Sequence, residues 1–278
     1  MATPQKQADQ QKQRKLKHCR ESATDQRLLA VGKAPTMTHR LELMAEIVTD
    51  EDMDPIIDVL ATLGENSTFQ RIDAMALQSL RKQKRLPPIL LLGADLMKPA
   101  MWDCGACGFK TCGEYLKYIK TNKGVGAGCY GPSCVWKSMD FGTVCDYACA
   151  CAAQHHVESR IMFSIGAPAM LLGHLEGATF VLGLPIGPLG KNLWFDREAW
   201  KDALSFDQKM MTQLAGGPTS AMAFSGGGNA IIKTKPVWWE NPTYMKIEQD
   251  ETLVEAEANG LAKAYEKIMK YAGVLDDE

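Results

Sequence analysis

Pro87-Pro88-Ile89-Leu90-Leu91-Leu92-Gly93-Ala94 decides how this chain is read. The two prolines stop any helix before them, and six apolar residues follow without a polar break. A run that short and that apolar reads as a strand buried on both faces. Working outward, residues 67–83 carry Phe69, Ile72, Met75, Leu77 and Leu80 as an apolar stripe at helical spacing. Residues 24–46 and 50–64 also read as helices, the second with Asp50 as its cap and Glu51 and Asp52 at its positive end. Downstream, residues 140–153 and 159–172 read as buried helices, with Pro168 a kink in the second. That second helix is apolar on nearly every side and belongs in the middle of the fold. Residues 178–184 predict a second buried strand, and Pro185 to Gly190 a loop. Residues 197–214 predict a helix, 215–228 a Gly/Ser-rich loop, and a last helix runs from a cap at Asp250 to about Ala272 with Gly273 as its stop.

The chain has 278 residues, a hydrophobic fraction of 46% and a charged fraction of 23%, so it can bury a core without cysteine staples. A net charge of −2 gives no electrostatic pull toward nucleic acid. Residues 1–22 form a basic, Gln-rich arm with no apolar h-region, so no secretory leader is expected. No apolar run reaches the roughly 20 residues of a membrane span. A cytoplasmic setting is expected.

Eight of the nine cysteines fall between residues 104 and 151, a clustering that suggests metal rather than bridges. Cys104, Cys107 and Cys112 stand in a C-x2-C-x4-C run with Gly105 and Gly108 between them. The glycines let the backbone turn tightly and present N–H groups to sulfur. Three such thiolates plus a fourth from a later loop are the pattern of an iron–sulfur centre, and the x2-then-x4 order favours a 4Fe-4S cluster over the plant-type 2Fe-2S one. The alternative is a structural zinc site whose second pair would be Cys129 and Cys134. Spacing leaves Cys129 and Cys134 both open as the fourth ligand. A second cluster on Cys129, Cys145, Cys149 and Cys151 is a further alternative, against which stands plain packing of small apolar thiols on a buried helix. Cys145 and Cys149 share a helix face at i and i+4, and Cys151 does not.

Four stretches in order resemble a prokaryotic family described as ferredoxin domain-containing proteins. They are Asp103-Cys-Gly-Ala-Cys-Gly-Phe-Lys-Thr-Cys112, Gly131-Pro-Ser-Cys-Val-Trp-Lys-Ser-Met-Asp-Phe-Gly142, Glu158-Ser-Arg-Ile-Met-Phe-Ser-Ile-Gly166 and Gly183-Leu-Pro-Ile-Gly-Pro-Leu-Gly-Lys-Asn-Leu-Trp-Phe-Asp-Arg197. The resemblance spans about residues 26–197. It implies that the cysteine of Gly-Pro-Ser-Cys134 is the fourth ligand rather than Cys129. The chain departs from the family in a longer loop carrying Cys129, in Cys145, Cys149 and Cys151, and in a C-terminal extension.

More distantly, Lys33-Ala-Pro-Thr36, the helix at 160–173 and the strand at 178–184 resemble the nitroreductase flavoprotein fold. That likeness implies FMN at a dimer interface, with Arg20 and Arg27 as positional candidates for its phosphate. A phosphate cradle at Gly226-Gly-Gly-Asn229 competes with a plain flexible loop. No GxGxxG, P-loop or Gly-x-Ser-x-Gly elbow is present. Arg160, Lys191 and Asn192 fall in the family-like motifs and suit either a binding surface or loop hydrogen bonds. His155-His156 suits a helix C-terminus, and Trp194, Trp200, Trp238 and Trp239 suit packing or a subunit interface.

The expected architecture is α/β: a nitroreductase-like core of helices and a short sheet over residues 23–98 and 138–200. A small iron–sulfur insert would occupy 99–137 and a C-terminal extension 201–278. The expected role is iron–sulfur electron transfer as a module or subunit of a larger oxidoreductase of anaerobic metabolism, working with redox partners as a homo-dimer or hetero-oligomer. An FMN-dependent reductase with an internal cluster relay and a zinc-stabilised interaction domain are the alternatives.

Overall fold

A computed structural model describes residues 28–65, 68–126, 129–187, 224–225, 230–233, 246–249 and 251–275. Strand β2 (Ile89–Ala94) is buried along its whole length and lies between β1 (Leu43–Val48) and β5 (Phe180–Pro185), antiparallel to both. The sheet continues through β4 (Cys129–Gly131), β3 (Gly124–Gly126) and β6 (Phe224–Ser225), every pairing antiparallel. A separate ribbon joins β7 (Ala230–Lys233) to β8 (Lys246–Gln249).

The two faces of β2 take part in two cores, as strand periodicity requires. Ile89 and Leu91 pack with α2 (Asp54–Leu63), α3 (Thr68–Lys82) and α6 (Phe163–Leu171) through Ile56, Leu60, Leu77, Leu80 and Ile165. Leu90, Leu92 and Ala94 pack with α1 (residues 28–33) and α5 (Val135–Gln154) through Val31, Phe141, Val144, Cys145 and Ala148. The molecule is thus helix, sheet, helix in three layers, a mixed α and β architecture with an antiparallel sheet. Helix α7 (Glu251–Tyr271) docks on α2 through Ala264 against Val59 and Leu63. Lys267 and Lys263 pair with Asp58 and Glu65 at its edge.

Helix α6 sits directly on β5 because of a glycine: a Cβ at Gly166 would stand 2.0 Å from the Val181 carbonyl oxygen. Its approach is fixed by Met162, which exchanges backbone hydrogen bonds with Gly183 at 2.8 and 3.0 Å. Buried Ser164 donates to the carboxylate of Asp73 at 2.7 Å, tying α6 to α3. On the other face, buried Asp140 of α5 accepts from the backbone N–H groups of Met37 and Thr38 and from the Thr38 hydroxyl.

Several expectations are corrected. The helix expected over 24–46 covers only 28–33 of the described residues, and 43–48 is strand. Pro35 breaks the helix, and the ladder to β2 outweighs the helical preference of Leu-Met-Ala-Glu. Asp50 does not cap α2. It lies at φ 50° in a 3-10 turn, Asp50–Met53, and α2 starts at Asp54 with Pro55 in its first turn. Helix α5 begins at Val135, five residues before the expected Asp140. Residues 159 and 162 form β-bridges to Ile186 and Gly183, so α6 starts at Phe163. The expected helix at 197–214, the cap at Asp250 and most of the 215–228 loop lie outside the described residues.

Candidate metal centre

The segment after β2 is tied down before it reaches the first cysteine. The Leu96 N–H donates to the Thr179 hydroxyl at 2.8 Å, and the Leu96 carbonyl accepts the Cys134 N–H at 2.8 Å. Arg40 reaches the Ala100 carbonyl at 2.8 Å. The chain then coils through left-handed residues: Met101 (φ 61°), Asp103 (φ 49°), Gly105 (φ 74°) and Gly108 (φ 87°). A turn closes from the Gly108 N–H to the Gly105 carbonyl at 2.9 Å, which carries Cys107 round toward Cys104.

Helix α4 (Cys112–Thr121) starts where Thr111 caps it, accepting the Glu114 N–H at 3.1 Å, while the Glu114 carboxylate accepts the Lys110 N–H. Cys112 is therefore in the first turn, its N–H bound to Asp103 at 2.6 Å. Cys134 is the N-cap residue of α5. Two of the pocket cysteines thus sit at the positive ends of helices, which favours binding of an anionic group there.

Cys104, Cys107, Cys112 and Cys134 line one pocket, walled by Trp102, Phe109, Tyr115 and Trp136. Cys112 and Cys134 are buried, Cys107 is half-buried and Cys104 is exposed. The Cys104 thiol is drawn below its ordinary pKa by the Ala106 backbone N–H first and by the indole N–H of Trp136 next. That indole nitrogen lies 3.1 Å from Cys104 Sγ. Tyr115 is fully buried, donates to the Pro132 carbonyl at 2.6 Å, and has its pKa raised by burial first, so it stays a neutral donor. Buried Lys137 donates to the Asp95 carbonyl at 3.3 Å behind Cys134, and burial lowers its pKa.

Cys129 is not among the pocket residues. It is buried in β4, and burial pushes its thiol up to about 11. Cys145 faces Leu90 and Leu92 in the core, where burial pushes its thiol up to about 12, and Cys149 packs against the same cluster. Those two thiols fill space between α5 and the sheet. Among the described residues no three His, Cys, Asp or Glu side chains converge closely enough to hold a single metal ion. Cys104, Cys107, Cys112 and Cys134 together give this pocket a thiol-rich lining.

Part of chain 130–197 matches the model of a family described as "Uncharacterized protein containing a ferredoxin domain (DUF2148)". The matched segment holds Cys134, α5, α6 and β5. An uncharacterized protein of Archaeoglobus fulgidus is 33% identical over 151 residues, 54% of this chain and 76% of the relative. The chain belongs to this ferredoxin-domain family. No solved structure matches it, and the nitroreductase likeness rests on sequence alone. A ferredoxin-domain family points to iron–sulfur electron transfer. Among the described residues of this ferredoxin-domain chain, no helix is long and apolar enough to cross a membrane.

Sequence reasoning singled out all four pocket cysteines but missed Trp136, Tyr115 and Lys137, which matter only once α4 and α5 face each other. The Thr111-x-x-Glu114 capping box was the signal that could have located α4. Arg160 lies near Asp73, 3.9 Å between charged atoms, rather than at the pocket. His155 closes the C-terminus of α5, as its position suggested. Arg20, Arg27, Gly226–Gly228, Lys191, Asn192, Trp194, Trp200, Trp238 and Trp239 lie outside the described residues.

Proposed function

We propose that this protein is an electron carrier that holds one 4Fe-4S cluster on Cys104, Cys107, Cys112 and Cys134 and serves as a module or subunit of a larger oxidoreductase. The observation that carries this reading is the shared pocket: four cysteines from three separate pieces of chain line it together. When bound, the cluster supplies one reversible electron. The protein's part is to hold and insulate. Asp103 and Thr111 fix the start of α4 and so the position of Cys112. The Leu96 carbonyl fixes Cys134. Phe109 and Tyr115, 5.5 Å apart edge to face, wall the inner side against water.

The ferredoxin-domain family and the C-x2-C-x4-C run favour an iron–sulfur occupant over zinc. The exposed edge at Cys104 is where a redox partner would approach.

Anaerobic purification followed by visible spectroscopy tests the reading. A broad brown absorption that bleaches on reduction and returns on oxidation supports it. A colourless protein that carries stoichiometric zinc overturns it.

A further inference from the structure

Of the four pocket thiols, Cys104 is the exposed one, and it receives a specific side-chain donor. Trp136 lies in the first turn of α5, two residues beyond Cys134, so one helix end both supplies a pocket cysteine and reaches across to another. The indole N–H is a donor with no acceptor capacity, and here it is committed to sulfur at 3.1 Å. Its ring is held from the other side by Trp102, centroids 5.9 Å apart and planes tilted by 53°. The anchoring of Cys134 to Leu96 fixes the base of the same helix turn. Position, direction and support are therefore all set by the fold.

We propose that Trp136 tunes the reduction potential of the centre by donating its indole N–H to the Cys104 sulfur. The inference rests on the cluster reading above. Reduction adds negative charge that spreads onto the thiolates, so a donor aimed at a thiolate stabilises the reduced state more than the oxidised one. Trp136 is a positioning and tuning residue, not a ligand: it also holds the exposed Cys104 side chain in its pocket-facing orientation.

Two measurements on the full chain with its cluster test this. In W136F, which keeps an aromatic ring and removes the donor, the midpoint potential moves to a more negative value. The terminal iron–sulfur stretching bands in resonance Raman move up, because the thiolate regains electron density. An unchanged or more positive potential at wild-type iron content overturns the proposal. In the wild-type protein labelled with indole-15N tryptophan, pulsed electron paramagnetic resonance of the reduced centre shows a 15N coupling; its absence overturns the proposal even if W136F fails to keep iron. Wild-type protein without iron would defeat the cluster reading itself. Iron in the wild type with neither the coupling nor the shift defeats the role of Trp136 alone.

Discussion

The hydroxyl of Tyr115 donates to the carbonyl of Pro132 at 2.6 Å, joining α4 to the Gly-Pro-Ser-Cys loop. Cys112 and Cys134 sit on those two pieces of chain, so this bond sets one side of the pocket against the other. In Tyr115→Phe the Pro132 carbonyl loses its donor. The expected cost is about 1 kcal/mol of unfolding free energy. Chemical denaturation of the two proteins side by side measures it, and faster bleaching of the visible absorption in air should accompany it.

Asp73 gives a pH signature away from the cysteines. Burial, only partly offset by Ser164 and Arg160, raises its carboxyl to about 6 from 3.8. The folded state thus holds the proton more tightly than the unfolded chain. The stability it contributes is complete below about pH 3.8 and is lost as pH rises through 6. The full loss is about 3 kcal/mol. Asp73→Asn does not titrate, so urea unfolding from pH 5 to 7 should show wild type losing stability relative to that variant. Parallel curves would show that Asp73 titrates normally.

Gly166→Ala should be poorly tolerated. The added Cβ would meet the Val181 backbone at 2.0 Å, where no flexible side chain can yield. A loss of about 3 kcal/mol, read as a fall in Tm, is expected from overpacking at this helix–strand contact.

Iron content should separate the cysteines by location. Cys129→Ser and Cys145→Ala alter buried sites away from the pocket and should keep wild-type iron per chain, the second with lower Tm because Cys145 is fully buried in the core. Cys134→Ser should lose iron or change the spectrum. Iron loss in Cys129→Ser with retention in Cys134→Ser would reverse the assignment of the fourth ligand.

What could be read from the sequence followed local signals strong enough to survive tertiary context. The apolar run after Pro88 became β2 with its bounds as expected, and Gly273 ends α7 at φ 67°. The Cys104–Cys112 glycines turned out to hold the left-handed conformations the tight loop needs. Leu43–Val48 could not be read as strand, because its pairing partner lies at residues 89–94 and its own composition suits a helix. The hairpin β3–β4 is three residues on each side, too short for any periodicity to register. The role of Trp136 was hidden for a different reason: its partner Cys104 is 32 positions away, and nothing in either neighbourhood marks the pair.

Iron and acid-labile sulfide per chain, measured on anaerobically purified protein, are the direct test of a 4Fe-4S cluster on Cys104, Cys107, Cys112 and Cys134. About four of each per chain are expected if the pocket holds one 4Fe-4S cluster. One zinc per chain with no sulfide would contradict it.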